Sequence, residues 1–493
     1  MLDLSGPALT PDERAFLREH AVGGVCLFGR NCRDRFQVAD LTSELRTLCG
    51  EGLLVAIDQE GGGVIRLEDV PYPPSAMALG AADDAGLTER VAAATARGLV
   101  AVGVSVDFAP VADVNVSPAN PVIAERSFGS DPEAVARHVV AFVRGLQRGG
   151  VAATVKHFPG HGDTSVDSHL ALPRLEVDLA RLEALELHPF RAAIEAGVDA
   201  VMTAHLLLPA LDPERPATLS RRIVTGLLRE ELGFEGVVFT DALNMRAVSE
   251  RYSPAEAALV ALQAGCDMPV HVGPLREHEA IVRRLEQALD HGELDPAQAS
   301  ASQRRLDELA ARYPARYQPG AAWREGDEAL LDEAAARGLV LVGALEPLTP
   351  DVPLAVVAAR EVAAGGASEE GGSPGEALVR QLREAGFAVE PYWYAPETLA
   401  ELMATLPHEG VTLFASTSRT PMSEGELELV REAARRAERF VHVALWNPFC
   451  VRELPGPALV AFGFRERTLK AVVRALQRGE ARGKAPAPLD VKT

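Results

Sequence analysis

The chain has 493 residues, 47% of them hydrophobic and 24% charged, and 49 basic against 70 acidic side chains leave a net charge of −21. That length and composition describe a folded protein of two or three domains. The acidic balance opposes binding to nucleic acid or anionic membranes, no basic block offsets it, and no apolar run reaches membrane-spanning length.

The opening residues Met1–Pro7 lack the basic start and apolar stretch of a secretory signal. Five cysteines, Cys26, Cys32, Cys49, Cys266 and Cys450, show no paired CxxC spacing. They read as reduced residues of a cytoplasmic protein.

From residue 22 onward, short β-branched runs alternate with longer helical patterns. Strands are predicted at Gly24–Phe28, Leu53–Ile57, Gly103–Phe108, Val151–Val155, Ala200–Ala204 and Gly236–Thr240, with a weaker one near Cys266–Met268. Near-continuous apolar strands separated by amphipathic helices mean a parallel sheet. Seven or eight such units in roughly 300 residues favour a TIM-type (β/α)8 barrel. Polar residues follow the strands directly: Asp58, Lys156 with His157, His205 and Asp241. Barrel enzymes gather their chemistry at that end, because every βα loop converges there.

The first domain is therefore placed at 1–315 and a linker at 316–325, marked by Tyr313–Gly320 with its two prolines. A smaller α/β sandwich follows at 326–480. Its strands are predicted at Leu339–Val342, Leu354–Val357, Thr412–Ala415, Val441–Ala444 and Leu459–Phe462. Gly365–Gly375 is Gly-, Glu- and Ser-rich and reads as a mobile loop, and 481–493 as a flexible tail.

Lys156 is the only lysine before residue 470 in a chain that otherwise uses arginine. Lysine is a compact point charge where arginine is a wide planar fork. It opens the run Lys156–His169, which reads KHFPGHGDTSVDSH and holds three of the twelve histidines. Pro159, Gly160 and Gly162 force an irregular loop after the strand. Asp167 and His169 lie two apart, so the carboxylate can fix the imidazole tautomer and raise its basicity, giving a general acid/base. A rival reading makes His157, His161, Asp163 and His169 zinc ligands, although no His-x-His stands at the first strand end.

Asp241 closes an apolar strand, where it serves either as a helix cap or as a nucleophile or stabilising carboxylate. Asp58, followed by Gln59-Glu60-Gly61-Gly62-Gly63, has the same two readings. The phosphate-loop pattern GxxxxGK[ST] is absent. Arg126 is either a surface cation or a clamp for a polar substrate.

Together these residues resemble the β-N-acetylglucosaminidases (β-hexosaminidases) of glycoside hydrolase family 3. Their signature runs KHFPGHG, a few variable positions, then DSH. The resemblance continues through Asp58–Gly62, Phe108–Val114, Arg126–Gly129, Met202–His205 and Thr240–Met245. It implies a retaining exo-glycosidase acting on terminal N-acetylglucosamine of muropeptide or chitin-type oligosaccharides, with peptidoglycan recycling as the setting and neither cofactor nor metal. By this resemblance Asp241 is the nucleophile, His169 with Asp167 the acid/base dyad, and Asp58, Arg66, Arg126, Lys156 and His157 hold the sugar. Two departures stand out: Gly63 and Ile65 replace an Arg and a Gln of the family pattern. The alternatives are a phosphorylase of the same family, or a sugar-binding protein that has lost the chemistry. The second domain is expected to supply no catalytic group.

Overall fold

A computed structural model describes residues 1–164, 166–362, 372–407, 410–418 and 421–489. Seven parallel strands follow one another in chain order: β1 (Gly24–Leu27), β2 (Leu54–Ile57), β3 (Val106–Asp107), β4 (Ala152–Phe158), β5 (Ala200–Thr203), β6 (Val237–Ala242) and β7 (Met268–Val270). Between the edge strands lies the segment Met1–Leu2. Its Met1 amino group donates to the Pro269 carbonyl at 2.8 Å and the Cys26 N–H donates to the Leu2 carbonyl at 2.8 Å. These bonds complete the ring at its eighth position.

Alternation along each strand explains the two-layered core. Cys26, Leu54, Ala56, Val106, Phe108, Ala152, Met202, Phe239 and Met268 fill the barrel interior, where the Phe108 and Phe239 rings meet edge to face at 5.3 Å. Val25, Leu27, Val55, Ile57, Val155, Val201 and Val238 face the surrounding helices. Burying one such aromatic or aliphatic side chain stabilises the fold by about 2–3 kcal/mol. Those helices start on side-chain caps: Asp34 accepts from Phe36 and Gln37 before Arg35–Cys49, and Asp131 accepts from Glu133 before Pro132–Gly149.

The helix Pro296–Arg312 plugs the end of the barrel opposite the loops described below. Leu309 and Tyr313 enter the interior cluster. The buried carboxylate of Asp199 accepts from the Tyr313 hydroxyl at 2.8 Å, and that of Asp267 from Arg305 and Arg229, each at 2.6 Å. Removing one partner of such a buried pair costs about 3–5 kcal/mol.

The second sheet has the order β10 (Val389–Tyr394), β9 (Leu354–Ala359), β11 (Val411–Ser416), β12 (Arg439–Ala444), β13 (Ala458–Val460) and β8 (Val340–Val342). Among the strands of this sheet in the described residues, only the β13–β8 pair is antiparallel. Helices Pro374–Glu384 and Glu466–Arg478 cover one face, and Leu399–Thr405 and Glu424–Arg436 the other. Strand β10 escapes the sequence reading because Pro391 interrupts it. At a sheet edge the missing N–H is tolerated.

The linker packs on the barrel, and the tail differs from expectation. Trp323 Nε1 donates to the Asp69 carbonyl at 3.2 Å, and Gln318 N to Ala101, so the linker is pinned to the barrel. The helix Asp327–Arg337 is shared, since Leu331 and Ala334 join the barrel cluster and Ala335 the sandwich cluster. Residues 481–489 are not a loose tail: Ala487 and Leu489 are buried, and Ser130 N donates to the Pro486 carbonyl at 3.1 Å. Residues 490–493, and most of the 365–375 loop, lie outside the described residues. No helix among the described residues is long and apolar enough to cross a membrane.

Candidate active site

The loops after the strands enclose a cavity of about 230 Å³ at the C-terminal mouth of the barrel. Among the described residues, those lining it fall between Cys26 and Val272, with none from the sandwich. They include Asp58, Arg66, Arg126, Lys156, His157, His169 and Asp241. Asp167 stands behind His169.

Two backbone irregularities aim these side chains. Consecutive residues of a regular strand point to opposite faces. The pairing of β4 with β5 shifts register between Val155 and Phe158, and both Lys156 and His157 line the cavity. A like shift between β6 and β7 separates Phe239 from Ala242, and there Asp241 and Ala242 both reach it. The loop after β2 folds back on itself, with Gly61 and Val64 exchanging backbone bonds. At Gly61 φ is +107°, and a Cβ would sit 2.2 Å from the Pro74 carbonyl. Gly162 is equally constrained, since its Cβ would meet the Val114 carbonyl at 1.9 Å. Only glycine fits either place.

One wall is an ion-pair lattice. Lys156 Nζ reaches Asp58 Oδ1 at 2.7 Å and Glu60 Oε1 at 2.6 Å. Glu60 also receives a two-pronged bond from Arg126, both contacts at 2.8 Å, and Arg66 approaches Asp58 Oδ2 at 3.3 Å. Burial opposes ionisation of Glu60 and Asp58, but the cations outweigh it and hold both below the ordinary carboxylate range. Lys156 is likewise penalised by burial, yet Asp58 and Glu60 raise it. An ammonium has three protons, so one remains for a ligand. Below this wall the Asp107 carboxyl is pushed up to about 8 by burial, accepting one bond from the Gln59 N–H at 2.9 Å.

A second buried carboxylate organises the histidines. Asp113 Oδ2 lies 2.7 Å from His157 Nδ1, and its Oδ1 accepts the backbone N–H groups of His157 and His161 at 3.2 and 2.6 Å. That leaves His157 Nε2 toward the cavity, 3.4 Å from Arg126. His161 is engaged at both nitrogens, by Thr164 at 2.6 Å and Ser168 at 3.2 Å, and burial lowers it to about 4. It is therefore neutral near pH 7.

Asp167 and His169 sit on the loop after β4. Asp167 Oδ1 lies 2.7 Å from His169 Nδ1, and the imidazole is 34% exposed. The loop is tied across the mouth by Ala247 N donating to the Ser168 carbonyl at 3.2 Å. Opposite stands Asp241, with Oδ1 accepting from Ala242 N at 2.7 Å. Burial raises its pKa, but His205, His157 and His169 act more strongly and leave it lowered. Asp241 is thus an ionised carboxylate with few hydrogen bonds, facing an imidazole that a second carboxylate orients.

The four residues of the zinc alternative do not converge. His157 is on Asp113, His161 on Thr164 and Ser168, His169 on Asp167, and Asp163 pairs with Arg181 at 2.9 Å. No group of three or more His, Cys, Asp or Glu among the described residues is arranged to hold a metal ion. Sequence reasoning passed over Glu60 and Asp113 as architects of the site and weighed His161 only as a zinc ligand. Glu60 and Asp113 lie inside motifs quoted above, but spacing alone does not say which carboxylate pairs with which cation. As for the two departures, Gly63 and Ile65 are both buried, and the adjacent Gly62 carbonyl accepts from Arg465 Nε at 3.0 Å.

Residues 2–309 match the glycosyl hydrolase family 3 N-terminal domain. The chain belongs to that family. It is a glycoside hydrolase, and the fold agrees: a glycoside hydrolase family 3 β-N-acetylglucosaminidase from Paenibacillus sp. str. FPU-7 superposes with a TM-score of 0.90 at 35% identity, covering 100% of this chain and 98% of that one. The β-hexosaminidase of Methylococcus capsulatus is 41% identical over 290 residues, which is 58% of this chain and 86% of the relative. β-Hexosaminidase A of Pseudoalteromonas piscicida is 36% identical over 335 residues, 62% of this chain, and the match spans only 56% of that protein's length.

Proposed function

We propose that this family 3 hydrolase is a retaining exo-β-N-acetylglucosaminidase that releases non-reducing terminal N-acetylglucosamine from muropeptide or chitin-type fragments. The observation that carries the reading is the pairing, in one cavity, of an ionised Asp241 with a His169 oriented by Asp167. Protonated His169 gives its Nε2 proton to the glycosidic oxygen while an Asp241 oxygen attacks C1, so the C1–O bond breaks as the Asp241–C1 bond forms. His169, now neutral, takes a proton from water, and the resulting hydroxide displaces Asp241 from C1 and frees the sugar. A histidine performs the shuttle near neutral pH without a second negative charge at the reaction centre.

Asp58, Arg66, Arg126, Lys156 and His157 hold the sugar hydroxyls and the acetamido group. Their mutual ion pairs keep them in place before substrate arrives, so binding energy is not lost to ordering them. A cavity closed at its base and sized for roughly one sugar ring supports removal of single terminal units. The name of the Paenibacillus relative supports the N-acetylglucosamine specificity, and that of the Methylococcus relative supports a β-hexosaminidase activity. Five cysteines present as thiols support a reducing, cytoplasmic setting and hence recycling of internalised wall fragments.

The test is an assay on 4-nitrophenyl β-N-acetylglucosaminide with wild type and Asp241→Ala, with and without inorganic phosphate. The reading expects turnover by wild type, near-complete loss in the variant, and free N-acetylglucosamine as product. Wild-type inactivity, or an equally active Asp241→Ala protein, overturns it. A phosphate-dependent yield of sugar 1-phosphate would replace water by phosphate as the acceptor.

A further inference from the structure

The described residues of the sandwich domain contribute nothing to the cavity lining, yet they touch the outer side of two loops that do. The loop after β3 carries Arg126. Its neighbour Glu125 is 1% exposed, and Glu125 Oε1 accepts the indole N–H of Trp446 at 2.6 Å. Trp446 is itself buried and packed edge-on against Phe464 at 4.9 Å. Five residues beyond Glu125 in the same loop, Ser130 N donates to the Pro486 carbonyl. The loop after β2 carries Asp58 and Arg66. There Arg465, at the start of the helix Glu466–Arg478, donates from Nε to the Gly62 carbonyl at 3.0 Å and pairs with Glu68.

We propose that the sandwich domain is a brace for substrate binding, with Trp446 and Arg465 as positioning residues that fix the two loops bearing Arg126, Asp58 and Arg66. Charged groups in a sugar site must be held within a fraction of an ångström to bind well, and loops alone hold side chains less precisely than strands. Arg126 adjoins a buried carboxylate at the domain boundary, and an indole is the donor that reaches it. Helix Ala76–Ala82 of the barrel shares an apolar cluster with Val340, Phe462 and Ala487, so the brace rests on a packed interface. Neither residue touches the reacting atoms; each acts through a loop.

This inference rests on the sugar-site reading, and the experiment separates the two. Kinetics on 4-nitrophenyl β-N-acetylglucosaminide are measured for wild type, Trp446→Phe, Arg465→Met and Glu125→Gln. Val472→Ala, in the sandwich core, serves as a stability control. Losing the indole bond in Trp446→Phe, or the contacts to Gly62 and Glu68 in Arg465→Met, raises KM roughly three- to tenfold. Their kcat changes less than twofold. Glu125→Gln keeps an acceptor for the indole and stays near wild type. Val472→Ala lowers the thermal midpoint without moving KM. Folded Trp446→Phe and Arg465→Met proteins with wild-type KM overturn the brace, as does a KM rise in Val472→Ala matching theirs. An inactive wild type instead defeats the sugar-site reading.

Discussion

Asp167 Oδ1 accepts two bonds from one residue, the His169 Nδ1–H at 2.7 Å and the His169 backbone N–H at 2.9 Å. Burial opposes the charge on Asp167, but these bonds hold its pKa below the usual carboxylate value. The imidazole is thereby fixed with Nε2 outward, and proton transfer becomes its task. His169→Ala should therefore lower turnover on a sugar aglycone by roughly 10²–10⁴-fold. On a nitrophenyl leaving group the first step needs little proton help, and a burst should appear ahead of slow deglycosylation. Asp167→Asn should lose part of the same rate. Equal losses of kcat/KM, which reports the first step, on both leaving groups would contradict a proton-transfer role.

Lys156 sits between Asp58 and Glu60 with 3% of its side chain exposed. A guanidinium is too wide for a gap closed on both sides at hydrogen-bond distance. Lys156→Arg should cost at least about 2 kcal/mol of stability through overpacking and displaced pairs. It should also lower kcat/KM roughly tenfold or more by shifting Arg126 through Glu60. Thermal unfolding and kinetics on the same preparation check both. Unchanged values would mean that the isolated lysine has no steric cause.

Asp241 has a lowered pKa, so it stays ionised below the range of an ordinary carboxylate. Nucleophilic attack requires that ionised form. The acid limb of kcat/KM should lie below about pH 4, the unperturbed aspartate value. A rate profile with an acid limb at pH 5 or above, in a protein still folded there, would contradict the assignment.

Stability should fall on the acid side for a different reason. Burial pushes His138 and His161 down to about 4 and His442 down to about 3. Unfolded histidines titrate near 6.5. Between those values the unfolded chain binds more protons than the native one, so stability drops as pH falls from about 6.5 toward 4. The histidine contribution levels off near 3, while the carboxylates held low, Asp58, Glu60, Asp167 and Asp241, continue the loss below about 4. Asp107, pushed up to about 8, works in the opposite sense, and three histidines outweigh it. Thermal midpoints measured across this window should decline, with a shallower slope in His442→Gln. A flat profile in wild type would show that the histidines are not held neutral.

Much of the barrel was legible in the sequence because its strands are buried on both faces and end in polar residues. Asp58, Lys156, His157 and Asp241 could be placed at one mouth on that pattern alone. The aim of the side chains was not legible. Lys156 and His157 both line the cavity where β4 shifts register, and a two-residue alternation assigns them to opposite faces. Glu60 and Asp113 were hidden for another reason: a carboxylate becomes structural or functional through its partners, and these come from distant loops. The packed segment 481–489 reads as polar and Pro-containing, and its order comes from a surface supplied by the rest of the fold.

The covalent step tests the account most directly. His169→Ala is incubated with 4-nitrophenyl β-N-acetylglucosaminide, quenched in acid during the burst and digested for peptide mass analysis. The account predicts one N-acetylhexosamine unit on the peptide containing Asp241, attached at that carboxylate. Its absence while nitrophenol is released, or a sugar attached elsewhere, would contradict it.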